Sequence, residues 1–242
     1  MERAKRWDSG EAYNRYITSE LNSFRKEAWK EQICSHFKGA KGLHILDVGT
    51  GPGFFACILS EEGHCITAID NSAGMLEHAA ANAAVLGVCP TFMQMDVNQL
   101  EFKDDSFDVI VSRNVTWTLE KPEQVYAELK RILKPGGKLL IYDANWHLHF
   151  YDEKLMRRVR EREQRHLERY GTAEIVAEND MEYYNSAPLT RIIRPKWDVN
   201  ILKNRLGMKV SVQEDIGKNV YEVWEKELYA ESPLFEICAE KQ

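Results

Sequence analysis

Residues 43–55 read LHILDVGTGPGFF: a short apolar run, an aspartate, then glycines at 49, 51 and 53. The run Leu43-His44-Ile45-Leu46 has strand character, and a glycine-rich turn followed by "FFACILSEEG", a helix stopped at Gly63, makes a strand–turn–helix unit. Glycine has no Cβ and tolerates positive φ, so such a turn lets backbone approach a ligand closely. The dinucleotide fingerprint is G-x-G-x-x-G, whose third glycine permits close helix–strand packing. Here Phe54 stands at that position. The free N–H groups at a helix start suit a carboxylate as well as a phosphate. The motif therefore predicts a nucleotide-like ligand and leaves its kind open.

Outward from this unit, strands and helices alternate. "CITAID" reads as a strand, and "SAGMLEHAAANAAVLG" as a helix capped by Ser72 and ended at Gly87. "TFMQMDV" and "FDVIVSRN" read as strands, "PEQVYAELKRIL" as a helix closed by the turn Lys134-Pro135-Gly136-Gly137, and "KLLIYDANW" as a fifth strand. Residues 12–38 read as one leading helix, with Ile17, Leu21, Phe24 and Ala28 on one face. After Trp146 the alternation breaks into a charged, aromatic segment with the arginine-rich helix "EKLMRRVREREQRHLERYG", whose mixed Arg and Glu suit a solvated face. Helix "WDVNILKNRLG" and strands "MKVSVQEDI" and "LFEICAEK" follow, the last two with no helix between them and able to pair antiparallel.

The expected fold class is α/β: a Rossmann-like, doubly wound sheet of about seven strands, mostly parallel with an antiparallel C-terminal hairpin. An N-terminal helix and a helical insertion after the fifth strand complete it. The expected organisation is a single domain, 1–242, with a helical cover over 1–40, a cofactor-binding core over 41–146, a substrate-lid insertion over 147–196 and a final helix and hairpin over 197–242.

Composition narrows the partners. Thirty-eight acidic against 32 basic residues give a net charge of −6, a poor field for a nucleic-acid backbone. The opening MERAKRWDSGEAYNRY lacks a signal peptide's apolar core, and no stretch approaches the roughly 18 apolar residues of a membrane span. Five cysteines, Cys34, Cys57, Cys65, Cys89 and Cys238, form no C-x-x-C pair, which fits a reduced, cytoplasmic protein without a disulfide framework or cysteine–zinc site.

In doubly wound sheets ligands bind beyond the carboxyl ends of the strands, where strand order reverses. Asp70 ends the second predicted strand, about 20 residues past the first glycine, where a carboxylate can accept from both hydroxyls of a ribose. Asp96 ends the third and can accept from an adenine amino group. Asp70 reads more as a ribose ligand than as a cap or surface aspartate, whereas Asp96 alone reads almost as readily as a loop aspartate. Three acids ending successive strands, with Asp47, make the stronger signal.

"LHILDVGTGPGFF", "ITAIDNSAGML", "MQMDVNQLEFKDDSFDVIVSRNVTWTL" and "ELKRILKPGGKLLIYDANW" resemble, in order and spacing, the successive motifs of class I S-adenosylmethionine-dependent methyltransferases, nearest to the UbiE-like, methyltransferase type 11, small-molecule branch. The resemblance implies S-adenosyl-L-methionine as cofactor. Gly49, Thr50, Gly51 and Gly53 would pass under its methionyl and ribose parts, with Asp47 helping to hold the methionyl amino group through water. Asp70 would bind the ribose hydroxyls, Asn71 and Met75 would line ribose and adenine, and Asp96 with Val97 would face the adenine edge. Ser112-Arg113-Asn114 would lie near the sulfonium. The resemblance also implies a leading helix folded over the cofactor and a substrate pocket closed by the insertion.

In-line displacement at a sulfonium methyl needs alignment more than acid–base help, so no residue is assigned as catalytic. Substrate-facing candidates are Tyr13, Tyr16, Trp117, His147 and His149. The spacing H-x-H puts both histidines on one face of a strand, beside Asp143, an arrangement that could hold a metal, although no metal site is assigned. The expected activity is methyl transfer to a small-molecule acceptor, with no nucleic-acid or membrane partner, by a monomer or homodimer. An NAD(P)-dependent oxidoreductase shares the fold and Asp70, and a non-catalytic S-adenosylmethionine-binding protein is the other alternative.

Overall fold

The computed structural model describes residues 10–171 and 181–242. Seven strands form one sheet: β1 (His44–Val48), β2 (Cys65–Asp70), β3 (Thr91–Gln94), β4 (Phe107–Arg113), β5 (Leu133–Asp143), β6 (Lys209–Gln213) and β7 (Phe235–Glu240). Their order is β3-β2-β1-β4-β5-β7-β6, parallel from β3 to β5, with β7 antiparallel to both neighbours. The expected α/β sheet is therefore present. Strand order reverses between β1 and β4, which puts the ligand crevice at their carboxyl ends.

Alternation within each strand explains why both faces are covered. Ile45, Val109, Val111, Leu140 and Tyr142 enter one apolar core with Trp29, Ile33, Phe54 and Phe55. Leu46, Val48, Ile110, Leu139 and Ile141 enter the other with Tyr126, Leu129 and Leu202. Successive side chains point to opposite faces, so a strand apolar at every position needs a helical layer on each side.

The helices are α1 (Glu11–Leu21), α2 (Arg25–Cys34), α3 (Phe54–Glu61), α4 (Ala73–Leu86), α5 (Pro122–Ile132), α6 (Glu153–Tyr170), α7 (Met181–Ser186), α8 (Lys196–Val199), α9 (Gly217–Val220) and α10 (Val223–Leu228). Ser72 caps α4 by accepting from the Met75 N–H, and Gly87 closes it at φ +68°, as the sequence predicts. Asp152 caps α6 through the Lys154 and Leu155 N–H groups.

Several local expectations are corrected. The leading helix is two helices, because Asn22 and Ser23 bond locally: Asn22 Nδ2 donates to the Thr18 carbonyl, while the Ser23 hydroxyl donates to the Glu20 carbonyl and accepts from the Arg25 N–H. Such side-chain bonds compete with the helical ladder and turn the chain. Strand β3 ends at Gln94, so Asp96 lies in the following turn, its Oδ1 accepting from the Asn98 backbone and side chain. Helix α8 continues as π-helix over Asn200–Arg205. Between β6 and β7 lie α9 and α10, of four and six residues, too short to show a period in sequence. The histidine pair is not on a strand; Leu148–Tyr151 form a 3-10 turn after β5. Residues 172–180 of the expected insertion, and 1–9 of the leading segment, lie outside the described residues.

Candidate functional site

The glycine turn sits at the switch point. Gly49 and Gly51 have φ +66° and +53°, and each is pressed by a neighbour: a Cβ on Gly49 would stand 2.3 Å from Val115 Cγ2, and one on Gly51 would stand 3.3 Å from the Tyr13 ring. Gly51 N–H donates to Asp70 Oδ2 at 2.8 Å, and Ser72 N–H donates to Oδ1 at 2.9 Å. Asp70 thus ties the turn to the end of β2 while its carboxylate borders the cavity. Burial raises its pKa.

Asp47 lies beneath the turn at 2% exposure, accepting from the Thr50 hydroxyl (2.6 Å) and the Ala56 N–H (3.1 Å) on one oxygen. Burial pushes its pKa up to about 6. Asp47, Thr50 and Gly53 lie outside the wall of the main cavity. Gly53, at φ +86°, packs α3 against Ala79 of α4, where an added Cβ would meet Ala79 Cβ at 2.9 Å. These three shape the turn from below, and Asp47 and Thr50 border a second, small cavity beside Gly49, Tyr13 and Arg113.

A cavity of about 1100 Å³ opens over the turn. Gly49, Gly51, Asp70, Asn71, Met75, Asp96, Val97 and Asn114 border it, as do Tyr13, Tyr16, Trp117, His147 and His149. Eight expected cofactor contacts and all five expected substrate-facing side chains thus meet around one space. Asn114 has φ +58°, its N–H donates to the Tyr142 carbonyl, and its Oδ1 is buried with no hydrogen-bond partner. Trp29 Nε1, a donor, is likewise buried and unpartnered in the wall.

The far half of the cavity is aromatic. His147 stacks on Tyr184 (centroids 4.0 Å, 23°) and meets the edge of Trp117 at 4.5 Å; Phe150 stacks on Tyr184 at 5.1 Å. Asp143 holds this wall in place. Its oxygens accept from the Thr116 hydroxyl, the Trp117 N–H, the Ala144 N–H and the Trp146 indole, and it pairs with buried Arg194 at 2.9 Å. A carboxylate so engaged is not a metal ligand, and among the described residues no three His, Cys, Asp or Glu side chains could hold a metal ion.

The cover is fastened by a buried ion network. Glu20 of α1 takes a bidentate grip on Arg113 (2.8 and 3.0 Å) and also pairs with Arg25, which bonds Glu225 of α10 at 2.9 Å. The Tyr16 hydroxyl accepts from Arg25 and donates to Glu225, so that candidate is held in the network although its ring faces the cavity. Arg113 also lies over the Phe54 ring at 4.6 Å. Burial raises the Tyr13 pKa.

Residues 46–141 match a family described as "Methyltransferase domain". A ubiquinone biosynthesis O-methyltransferase of Rickettsia felis is 33% identical over 129 residues, 53% of this chain and 52% of that protein. A malonyl-[acyl-carrier protein] O-methyltransferase of Erwinia pyrifoliae is 36% identical over 111 residues, 46% and 40% of the two chains. Over residues 46–141 the chain is thus similar to methyltransferase domains. A SAM-dependent methyltransferase from Aquifex aeolicus shares the fold, with TM-score 0.58 and 21% identity over 100% of this chain and 98% of that one. The chain spans about half the length of the curated relatives it matches.

Beyond the strand-end motifs, sequence reasoning missed Trp29, Arg25, Tyr183, Tyr184, Tyr221 and Tyr229, all of which border the cavity. They come from the cover, the insertion and the β6–β7 connection, and no strand-end rule marks them. Val115, which presses on Gly49, was findable, since it directly follows the noted Ser112-Arg113-Asn114 at the end of β4.

Proposed function

We propose that the chain binds S-adenosyl-L-methionine at the turn and transfers its methyl group to a small-molecule acceptor in the aromatic half of the cavity. The observation that carries the choice of cofactor over a dinucleotide is Asp47. Its buried carboxylate takes the Ala56 N–H in the first turn of α3, where a pyrophosphate would need free amides and no nearby acid. The wall fits an amino-acid head group instead: Asn114 Oδ1 is an unused acceptor suited to an ammonium, and Trp29 Nε1 an unused donor suited to a carboxylate. Asp70 is placed to accept from ribose hydroxyls through lone pairs left over from Gly51 and Ser72. Asp96, Val97, Asn71 and Met75 would form the adenine end.

When bound, S-adenosylmethionine supplies an electrophilic methyl group on a sulfonium. The chain's own work is alignment: the glycine turn admits close approach, the α1–α2 cover with Tyr13 closes one side, and the aromatic wall excludes water from the other. We assign residues 147–196 to a substrate lid, the cofactor core to 41–146 and the cover to 1–40.

No helix among the described residues is long and apolar enough to cross a membrane. With the net charge of −6, this supports a cytoplasmic enzyme acting on neither membrane nor nucleic acid, as monomer or homodimer. The test is release of S-adenosylhomocysteine from S-adenosylmethionine across a panel of small acceptors. Acceptor-dependent release is expected; release with an oligonucleotide or a protein alone would overturn the acceptor class.

A further inference from the structure

Accepting that reading, the acceptor half of the cavity carries a chemical preference of its own. The indole N–H groups of Trp117 and Trp146 are both committed, to the Asn114 carbonyl at 3.1 Å and to Asp143 at 2.9 Å. What they offer an occupant is ring surface. On this side His149 Nε2 is open: the residue is 6% exposed, the atom is buried, and it has no hydrogen-bond partner. A buried polar atom left without a partner costs free energy, so a ligand group that satisfies it is favoured.

We propose that the acceptor subsite takes a planar hydroxy-aromatic molecule, its ring against Trp117 and Phe150 and its hydroxyl hydrogen-bonded to His149 Nε2. Ring stacking supplies area and the hydroxyl satisfies the atom the protein leaves open. A cationic acceptor is the natural rival, because aromatic walls also hold ammonium groups. The open nitrogen argues against it: a quaternary ammonium has no proton to give, whereas a hydroxyl has. Burial, with the Arg162 guanidinium nearby, holds the His149 pKa down at about 4, so the imidazole is neutral at pH 7.

The probes are 2-naphthol, 2-methoxynaphthalene, which has the same ring but no donor, and tetramethylammonium. Each is titrated into the full chain saturated with S-adenosylhomocysteine. We expect 2-naphthol to bind about 3- to 10-fold more tightly than 2-methoxynaphthalene, the value of one neutral hydrogen bond, and tetramethylammonium to be the weakest of the three. His149→Phe keeps a ring in place and should erase the preference between the two naphthalenes while S-adenosylhomocysteine affinity stays unchanged. His149→Gln, which keeps an acceptor, should retain part of it. Tighter binding of tetramethylammonium, no binding of either naphthalene, or a preference that survives His149→Phe would each overturn the proposal. Failure of S-adenosylhomocysteine itself to bind would overturn the cofactor reading on which the proposal rests, and it is seen in a separate titration.

Discussion

Removing the Glu20 carboxylate tests whether the cover is held by charge. Glu20 and Glu225 are fully buried, and with Arg25 and Arg113 they make a balanced set of two anions and two cations. Glu20→Ala leaves two buried guanidiniums against one carboxylate, so one positive charge is stranded away from water. Breaking a buried pair from one side costs about 3–5 kcal/mol. For a chain of this size each kcal/mol moves the midpoint by about 2–4 °C, so the melting temperature should fall by about 6–20 °C. The assay is urea unfolding together with calorimetric melting. Arg113→Met completes a cycle: with Glu20→Ala it removes one charge of each sign, and Arg25 and Glu225 remain balanced. The double variant should then be more stable than the sum of the single losses implies, by about 0.5–3 kcal/mol. A Glu20→Ala cost below about 1 kcal/mol, the range of exposed pairs, would refute the reasoning. Strict additivity in the cycle would refute it too.

Asp70→Ala should weaken S-adenosylhomocysteine binding by about 1–3 kcal/mol, or roughly 5- to 150-fold in Kd by calorimetric titration, because ribose acceptors and the Gly51 tie are lost together. Gly49→Ala combines left-handed strain of about 1–2 kcal/mol with a collision at Val115, so binding should weaken at least about tenfold. Gly87→Ala, at φ +68° with open space around it, should lower stability alone and leave the Kd intact. The pKa of His149 is lowered on folding, from 6.5 to about 4. The unfolded chain therefore takes up a proton below pH 6.5 that the folded chain refuses until about pH 4, and stability is lost as pH falls through that window. The melting temperature of His149→Phe relative to the unaltered protein should thus rise as pH drops from 6.5 to 4; a flat difference would contradict the burial of a neutral imidazole.

The core was legible because its signals are local. Strand alternation, glycines at 49, 51 and 53, and the caps Ser72 and Gly87 each follow from a few neighbouring residues. Asp70 and Asn114 were legible for the same reason, as strand-end positions. Asp47 shows the limit: the acid before the glycines was legible, but its partners Thr50 and Ala56 were not. The partners of Asp143 were not legible either, since Trp117, Trp146 and Arg194 converge on it only in three dimensions. Trp29 and Tyr184 were silent in sequence because an aromatic residue in a cover helix or an insertion carries the same pattern whether it faces a core or a cavity. The α9–α10 connection was missed through shortness, although its Glu225 closes the ion network that fastens the cover.

The central claim is that the turn at the switch point holds S-adenosylmethionine and not a dinucleotide. Calorimetric titration of the unaltered chain with S-adenosylhomocysteine and, in parallel, with NADH tests it most directly. The account predicts saturable, one-to-one binding of S-adenosylhomocysteine and no heat of binding for NADH. Binding of NADH in its place would mean that the acid under the turn does not exclude a pyrophosphate, and would contradict the account.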